Sequence, residues 1–344
     1  MIDLRLHDLS FRTAYAQAKE LALAQGEIPL LTAGSLQEEE RGNARFVYRY
    51  RYDGAGKRVS EYLGPADDEE TAAKIDQAHG EIADAETLAQ YSRDLRRLGF
   101  YGADNSTLVT VAALFNAGIF GRGAVLVGTH AFGAIMNDLG VAMSPFPMTE
   151  DLDVARAERI QIAALPKGGF LELLKQTGVP FHEVPQLKHK EPATSFKVRG
   201  KKLKVDLLLP AKGALYQPIA VPELGTHATG LPHFAYLLAG AGSSVLIGRD
   251  RVVPVVVPHA GRFCVHKLAV YSLRSGFDHP KREKDVFQAA LIAAALAREQ
   301  EFLLTDAIGE MDRGLRAKAK AGARRALALL EDSPAAELLA PLAG

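Results

Sequence analysis

Leu126-Val127-Gly128-Thr129-His130, followed about two dozen residues later by Thr149-Glu150-Asp151-Leu152-Asp153-Val154, decides how this chain is read. The apolar run Ala124 to Val127 predicts a short buried strand. Gly128 and Thr129 then open a predicted helix over 130–139. A helix start preceded by glycine is a natural phosphate cradle, because its first N–H groups have no intrahelical partner. Asp151 and Asp153 sit two apart on the next apolar stretch, and period-2 alternation puts both carboxylates on one side of a strand. Two acids side by side repel unless a cation sits between them. Mg²⁺ suits such a pair, since it takes carboxylate oxygens together with substrate phosphates. Strand, glycine turn, helix and paired acids together predict a metal-dependent phosphoryl or nucleotidyl transfer site.

Outward from this core, lone polar residues in apolar surroundings become candidates. Asp206 is the single acid in the predicted strand Leu203 to Leu209. An unpartnered carboxylate there is costly. It reads either as a third metal ligand or as an ion-pair partner of a nearby lysine. The stretch 188–204 carries Lys188, Lys190, Lys197, Arg199, Lys201, Lys202 and Lys204 against Glu191 alone. This is a nucleic-acid contact or a solvated hairpin that guards a sheet edge. Phe46-Val47-Tyr48-Arg49-Tyr50-Arg51-Tyr52, the turn Asp53 to Gly56 and the return strand Lys57 to Leu63 predict a hairpin with a basic, aromatic face. It would touch nucleic acid by stacking, or pack its tyrosines on a neighbour. Residues 66–100 predict a helical arm or helix pair, opened by acids in the first turn. His130 is read as a first-turn packing or capping residue that could also reach phosphate.

Two later segments narrow the reading. Val127-Gly128-Thr129 with Asp151-Leu152-Asp153 resembles the signature of the DNA polymerase β-type nucleotidyltransferase superfamily, with Thr129 where Ser or Gly is usual and an inserted loop around Met143 to Met148. Val265-His266-Lys267-Leu268-Ala269-Val270-Tyr271-Ser272-Leu273-Arg274 and Lys281-Arg282-Glu283-Lys284-Asp285-Val286-Phe287 resemble the lysine helix and the lysine-aspartate motif of the AbiEii/MenT-like group. The resemblance covers roughly residues 122 to 300. It implies that Lys267 contacts nucleotide phosphates and that Asp285 is a late catalytic or structural acid. On the residues alone, Lys267 also reads as a snorkelling helix lysine, and Asp285 as an i, i+4 partner of Lys281. Lys267 and Arg274 are seven apart and would share one helix face. His266 would lie about 100° round that helix from Lys267. Gly34 to Pro65 resembles a small module near the start of some transposases, a twisted hairpin with a basic face.

The implied activity moves a nucleoside monophosphate from an NTP to an acceptor hydroxyl, with Mg²⁺ or Mn²⁺ and loss of pyrophosphate. Asp151, Asp153 and Asp206 would hold metal. Gly128, Thr129, Lys267 and Arg274 would hold the nucleotide. The acceptor would be RNA, such as a tRNA 3′ end, a protein hydroxyl or a small molecule, and the group's biology adds a cognate antitoxin as a partner. The alternative is a nucleic-acid-binding or regulatory protein on a weakly active scaffold of the same type.

Composition sets the outer bounds. The 344 residues, 48% hydrophobic, allow more than one domain. The expected division is an N-terminal helical and hairpin region over 1–105, a transferase core over 106–258 and a helical region over 259–344. Lys and Arg balance Asp and Glu at 41 each, so any pull on nucleic acid is local. Cys264 is the lone cysteine, which excludes a disulfide framework or a cysteine zinc site and fits a reducing cytoplasm. Neither a signal core nor an apolar run long enough to span a bilayer is read. The fold class expected is α+β, a mixed sheet flanked by helices.

Overall fold

The computed structural model describes residues 2, 4–142, 151–156, 169–186, 191–201, 203–211, 215–274, 279–331 and 333–344; for 151–156 and 279 it describes the backbone alone. The loop expected around Met143 to Met148 lies outside these residues, as do Lys188, Lys190 and Lys202.

The fold is α+β. After α1 (Leu9–Ala24) come three antiparallel strands, β1 (Thr32–Arg41), β2 (Ala44–Tyr52) and β3 (Arg58–Pro65). The hairpin predicted from the sequence is the β2–β3 pair. Strand β1 was not legible, because Gln37-Glu38-Glu39-Glu40-Arg41 has no apolar alternation. It pairs nonetheless, and its acids meet the basic residues of this sheet: Glu38 lies 3.2 Å from Arg45 and Glu39 3.1 Å from Arg41. One face of the sheet, through Val47 and Leu63, packs on Ala78 of α2 (Glu69–Arg97). Helix α2 is continuous rather than a pair. Asp68 caps it through the Thr71 N–H at 2.9 Å, Glu69 and Glu70 occupy its first turn, and Arg96 and Arg97 its last. These placements suit the helix dipole at both ends.

Helix α3 (Asn105–Asn116) leads into the central seven-stranded sheet. Its path is β4 (Ala124–Val127), β5 (Asp151–Arg156), β8 (Lys204–Pro210), β10 (Thr226–Leu231) and β9 (Pro218–Val221), with α4 (Gly128–Asp138) between β4 and β5. Helix α5 (Gly169–Lys175) precedes β6 (Phe181–Glu183) and β7 (Ser195–Val198), which attach beside the first half of β8. Strands β4 and β5 run antiparallel, while β8 runs parallel to both β5 and β10. Helix α6 (Phe234–Leu238) and the hairpin β11 (Gly242–Ile247) with β12 (Val252–Val257) follow.

The chain ends in α7 (Ala260–Leu273), α8 (His279–Glu299), α9 (Glu301–Gly309), α10 (Arg313–Leu330) and α11 (Pro334–Ala343). One buried apolar cluster runs without a break from Leu126 and Phe132 through Phe263 and Leu268 to Ile292 and Ala323. The sheet and the terminal helices therefore share a core, and that is what fixes α7 against the end of β4. Cys264 is fully buried in this cluster; burial pushes its thiol up to about 12, as for an inert core residue. Among the described residues no helix is long and apolar enough to cross a membrane.

Candidate active site

Strand β4 is buried at every position, so the chain leaves the core abruptly at its end. Gly128 makes that exit at φ +74°, a conformation that costs an L side chain energy and glycine almost nothing. Helix α4 starts there. Thr129 and His130 point into protein, 8% and 1% exposed. His130 Nδ1 lies 2.9 Å from the Tyr101 hydroxyl, whose ring rests directly on Gly133 one turn further on. His130 is therefore a packing residue of the first turn.

The β-ladder brings two of the three predicted acids, Asp153 and Asp206, into one row. Asp153 stands opposite Val127 on β4 and opposite Asp206 on β8; Asp151 stands opposite Lys204. The glycine turn, the second acid of the pair and the lone strand acid thus occupy adjacent positions on three neighbouring strands. Asp206 is half-buried and takes the ion-pair partner that the sequence allowed. Its Oδ1 accepts a hydrogen bond from the Ser195 hydroxyl and lies 2.8 Å from the Lys204 ammonium. Val205 and Leu207 point into the core, so Lys204, Asp206 and Leu208 share the open face.

Leu208 lines a cavity of about 340 Å³ whose wall also includes Gly128, Lys267, Arg274, His266 and Tyr216. Phe234, Phe263, Leu231, Leu237 and Val270 are among its apolar lining. Lys267 and Arg274 are the cations of this wall among the described residues. Arg274 is the residue just beyond the end of α7, in extended conformation, not a member of the helix as the heptad spacing predicts. The two still converge, because Asp285 of α8 reaches across to both. Its Oδ1 lies 2.6 Å from Lys267 Nζ and its Oδ2 2.7 Å from Arg274 Nε. Asp285 therefore bonds between helices, where the sequence equally allowed a bond to Lys281 along α8. Its side chain is 3% exposed. Burial works against its charge, but the ammonium, the guanidinium and their hydrogen bonds hold its carboxyl below the ordinary range. Two cations share one buried anion, and the cluster keeps a net positive charge facing the cavity.

His266 was not legible as a wall residue from its position on α7. Burial, reinforced by the Lys267 charge, pulls its pKa down to about 3, so it is neutral near pH 7. Its ring meets Phe234 edge-on at 5.8 Å. Nothing in the sequence marks Tyr216 as a wall residue; it lies two residues before β9.

An α+β core that aims a glycine helix start and two cations into one cavity beside a row of acids defines a phosphate-handling transferase class. A nucleotidyltransferase family model matches residues 105–312, well over half the chain, and the protein belongs to that family. It is accordingly an enzyme that transfers phosphorus-containing groups. Comparison with curated proteins and with solved structures gives no match.

Proposed function

We propose that the protein moves a nucleoside monophosphate from a nucleoside triphosphate to an acceptor hydroxyl, with release of pyrophosphate. One observation carries this reading: Lys267 and Arg274 share a cavity with Gly128, while the ladder sets Asp153 between Val127 and Asp206. Lys267 and Arg274 neutralise phosphate oxygens, and charge-assisted bonds of this kind are the stronger class. The Gly128 helix start offers N–H groups to the same anion. Asp285 holds both cations in place, and the apolar wall keeps bulk water from the reacting phosphate.

Asp151, Asp153 and Asp206 would hold Mg²⁺ or Mn²⁺. The donor set is hard carboxylate oxygen, and Asp206 already takes a cation, the Lys204 ammonium, on Oδ1. When bound, the metal would neutralise the triphosphate and activate the attacking hydroxyl.

The acceptor that the AbiEii/MenT-like resemblance favours is a tRNA 3′ end, and the same resemblance brings in a cognate antitoxin. The N-terminal arginines lend the RNA reading little support, since most are already neutralised by acids. A transfer assay with α-labelled NTPs, total RNA and protein lysate, in Mg²⁺ or Mn²⁺, tests the activity and finds the acceptor. Label on RNA is the expected result. An Asp153→Ala variant that transfers as well as the wild type sinks the site assignment.

A further inference from the structure

Tyr216 is an outlier of the backbone among the described residues. It is one of three non-glycine residues at positive φ among those described, at +59°. Side chains with a Cβ pay for that region, and aromatic ones gain nothing there that Asn or Gly would not. The backbone is held in place by the Tyr216 N–H donating to the Gly230 carbonyl at 2.8 Å, so the fold imposes the conformation. The residue is 53% exposed and yet lines the cavity that contains Lys267 and Arg274. Strained residues of this kind collect at ligand sites. The inner wall holds a second polar oddity, His266, buried to 8% and edge-on to Phe234. A neutral imidazole offers one donor and one acceptor to a flat ligand edge.

Resting on the nucleotidyl-transfer reading above, we propose that the apolar part of this cavity is the nucleobase slot. Tyr216 stacks on the base from the mouth, and His266 meets its hydrogen-bonding edge from the inner wall. The ligand has a charged end and a flat aromatic end, and the cavity offers two cations and an aromatic, apolar remainder. Tyr216 is thus a specificity residue for the nucleoside, distinct from the cations that bind phosphate. The base slot explains the tyrosine; phosphate binding does not, because a phenol contributes little to a polyanion that Lys267 and Arg274 already neutralise.

The test is calorimetric binding of α,β-methylene-ATP, which cannot undergo transfer, and of inorganic tripolyphosphate, which has no base, to the full chain with Mg²⁺. Base–aromatic stacking removed by substitution weakens binding by roughly ten-fold or more. Tyr216→Gly and Tyr216→Asn should lose that factor for the nucleotide analogue while tripolyphosphate binding stays within about two-fold, and Tyr216→Phe should bind both as the wild type does. Gly and Asn tolerate positive φ, so neither variant should melt below the wild type. His266→Phe, which keeps the packing, should change the order of affinity among ATP, GTP, CTP and UTP analogues. Wild-type affinity for the nucleotide analogue in Tyr216→Gly overturns the slot. Equal losses for analogue and tripolyphosphate overturn it too, since the residue would then act on phosphate. If the wild type binds neither probe, the nucleotidyl-transfer reading itself fails and the slot falls with it.

Discussion

Two regions of this protein are rich in cations, and they handle them in opposite ways. On the N-terminal sheet each paired arginine has an acid partner nearby. Arg45 lies between Glu38 and Asp67, Arg51 between Glu27 and Glu61, and buried Arg49 bonds Glu81. Arg58 lies over the Tyr50 ring at 3.7 Å. At the end of α7 the ratio is reversed, for Asp285 serves Lys267 and Arg274 together. The first arrangement spends its charge on holding a sheet together. The second leaves an excess of positive charge against a cavity, where low dielectric makes it count. Between these two regions, counting basic residues along the sequence ranks the sheet first; counting unmet charge ranks the cavity first.

That contrast breaks most sharply at the cavity. Lys267→Ala should lower transfer on the order of 10²- to 10³-fold, as loss of one preorganised charge at a reacting phosphate does. Steady-state rates with labelled NTP would measure it, and a loss under two-fold would put the phosphate site elsewhere. Asp285→Asn should destabilise the fold by about 3 kcal/mol in denaturant titration, because two cations lose their buried anion. The matching cut on the sheet, Glu81→Gln, removes a half-exposed partner and should cost about 1 kcal/mol or less.

Acid should separate the regions as well. The Asp285 pKa is depressed in the fold, so its contribution is present above its ordinary value of 3.8 and is lost as pH falls below it. His266 is also depressed, to about 3, and stays neutral in the fold while the unfolded chain takes up a proton below about 6.5. Stability should therefore fall on going from pH 6.5 toward pH 3, by up to about 1.4 kcal/mol per unit from this one group. Thermal melts of His266→Phe across that range should show a flatter curve; an unchanged slope would place His266 in contact with solvent. The smallest effect belongs to the sheet. Arg45→Ala should leave thermal melts unchanged and leave retention of RNA in a filter-binding assay unchanged. A clear loss of RNA would restore the hairpin as a nucleic-acid surface.

Much of the frame was legible because it rests on local rules. The strand Ala124–Val127, the turn at Gly128 and β8 follow from apolar runs bounded by breakers. The order of Gly128, the Asp151/Asp153 pair, Lys267 and Asp285 was likewise legible, by resemblance. Strand β1 was not, since Gln37 to Arg41 has no apolar alternation and the partner of Glu38, Arg45, lies on β2. Tyr216 was not, since nothing local marks a residue that the turn against Gly230 forces to positive φ.

The sequence by itself therefore determined the α+β class, the glycine-led helix start, the acids in their order and the cationic end of α7. These depend on periodicity, on φ freedom at one glycine and on residue type, all properties of a few neighbouring residues. Only the tertiary structure decided that Asp285 belongs to Lys267 and Arg274 rather than to Lys281, that Asp206 shares Lys204, and that His266 and Tyr216 join the cavity wall. Those are choices among partners that local spacing leaves equivalent. They are settled by the common core that packs α7 and α8 together, where an unpaired charge would be too costly to leave.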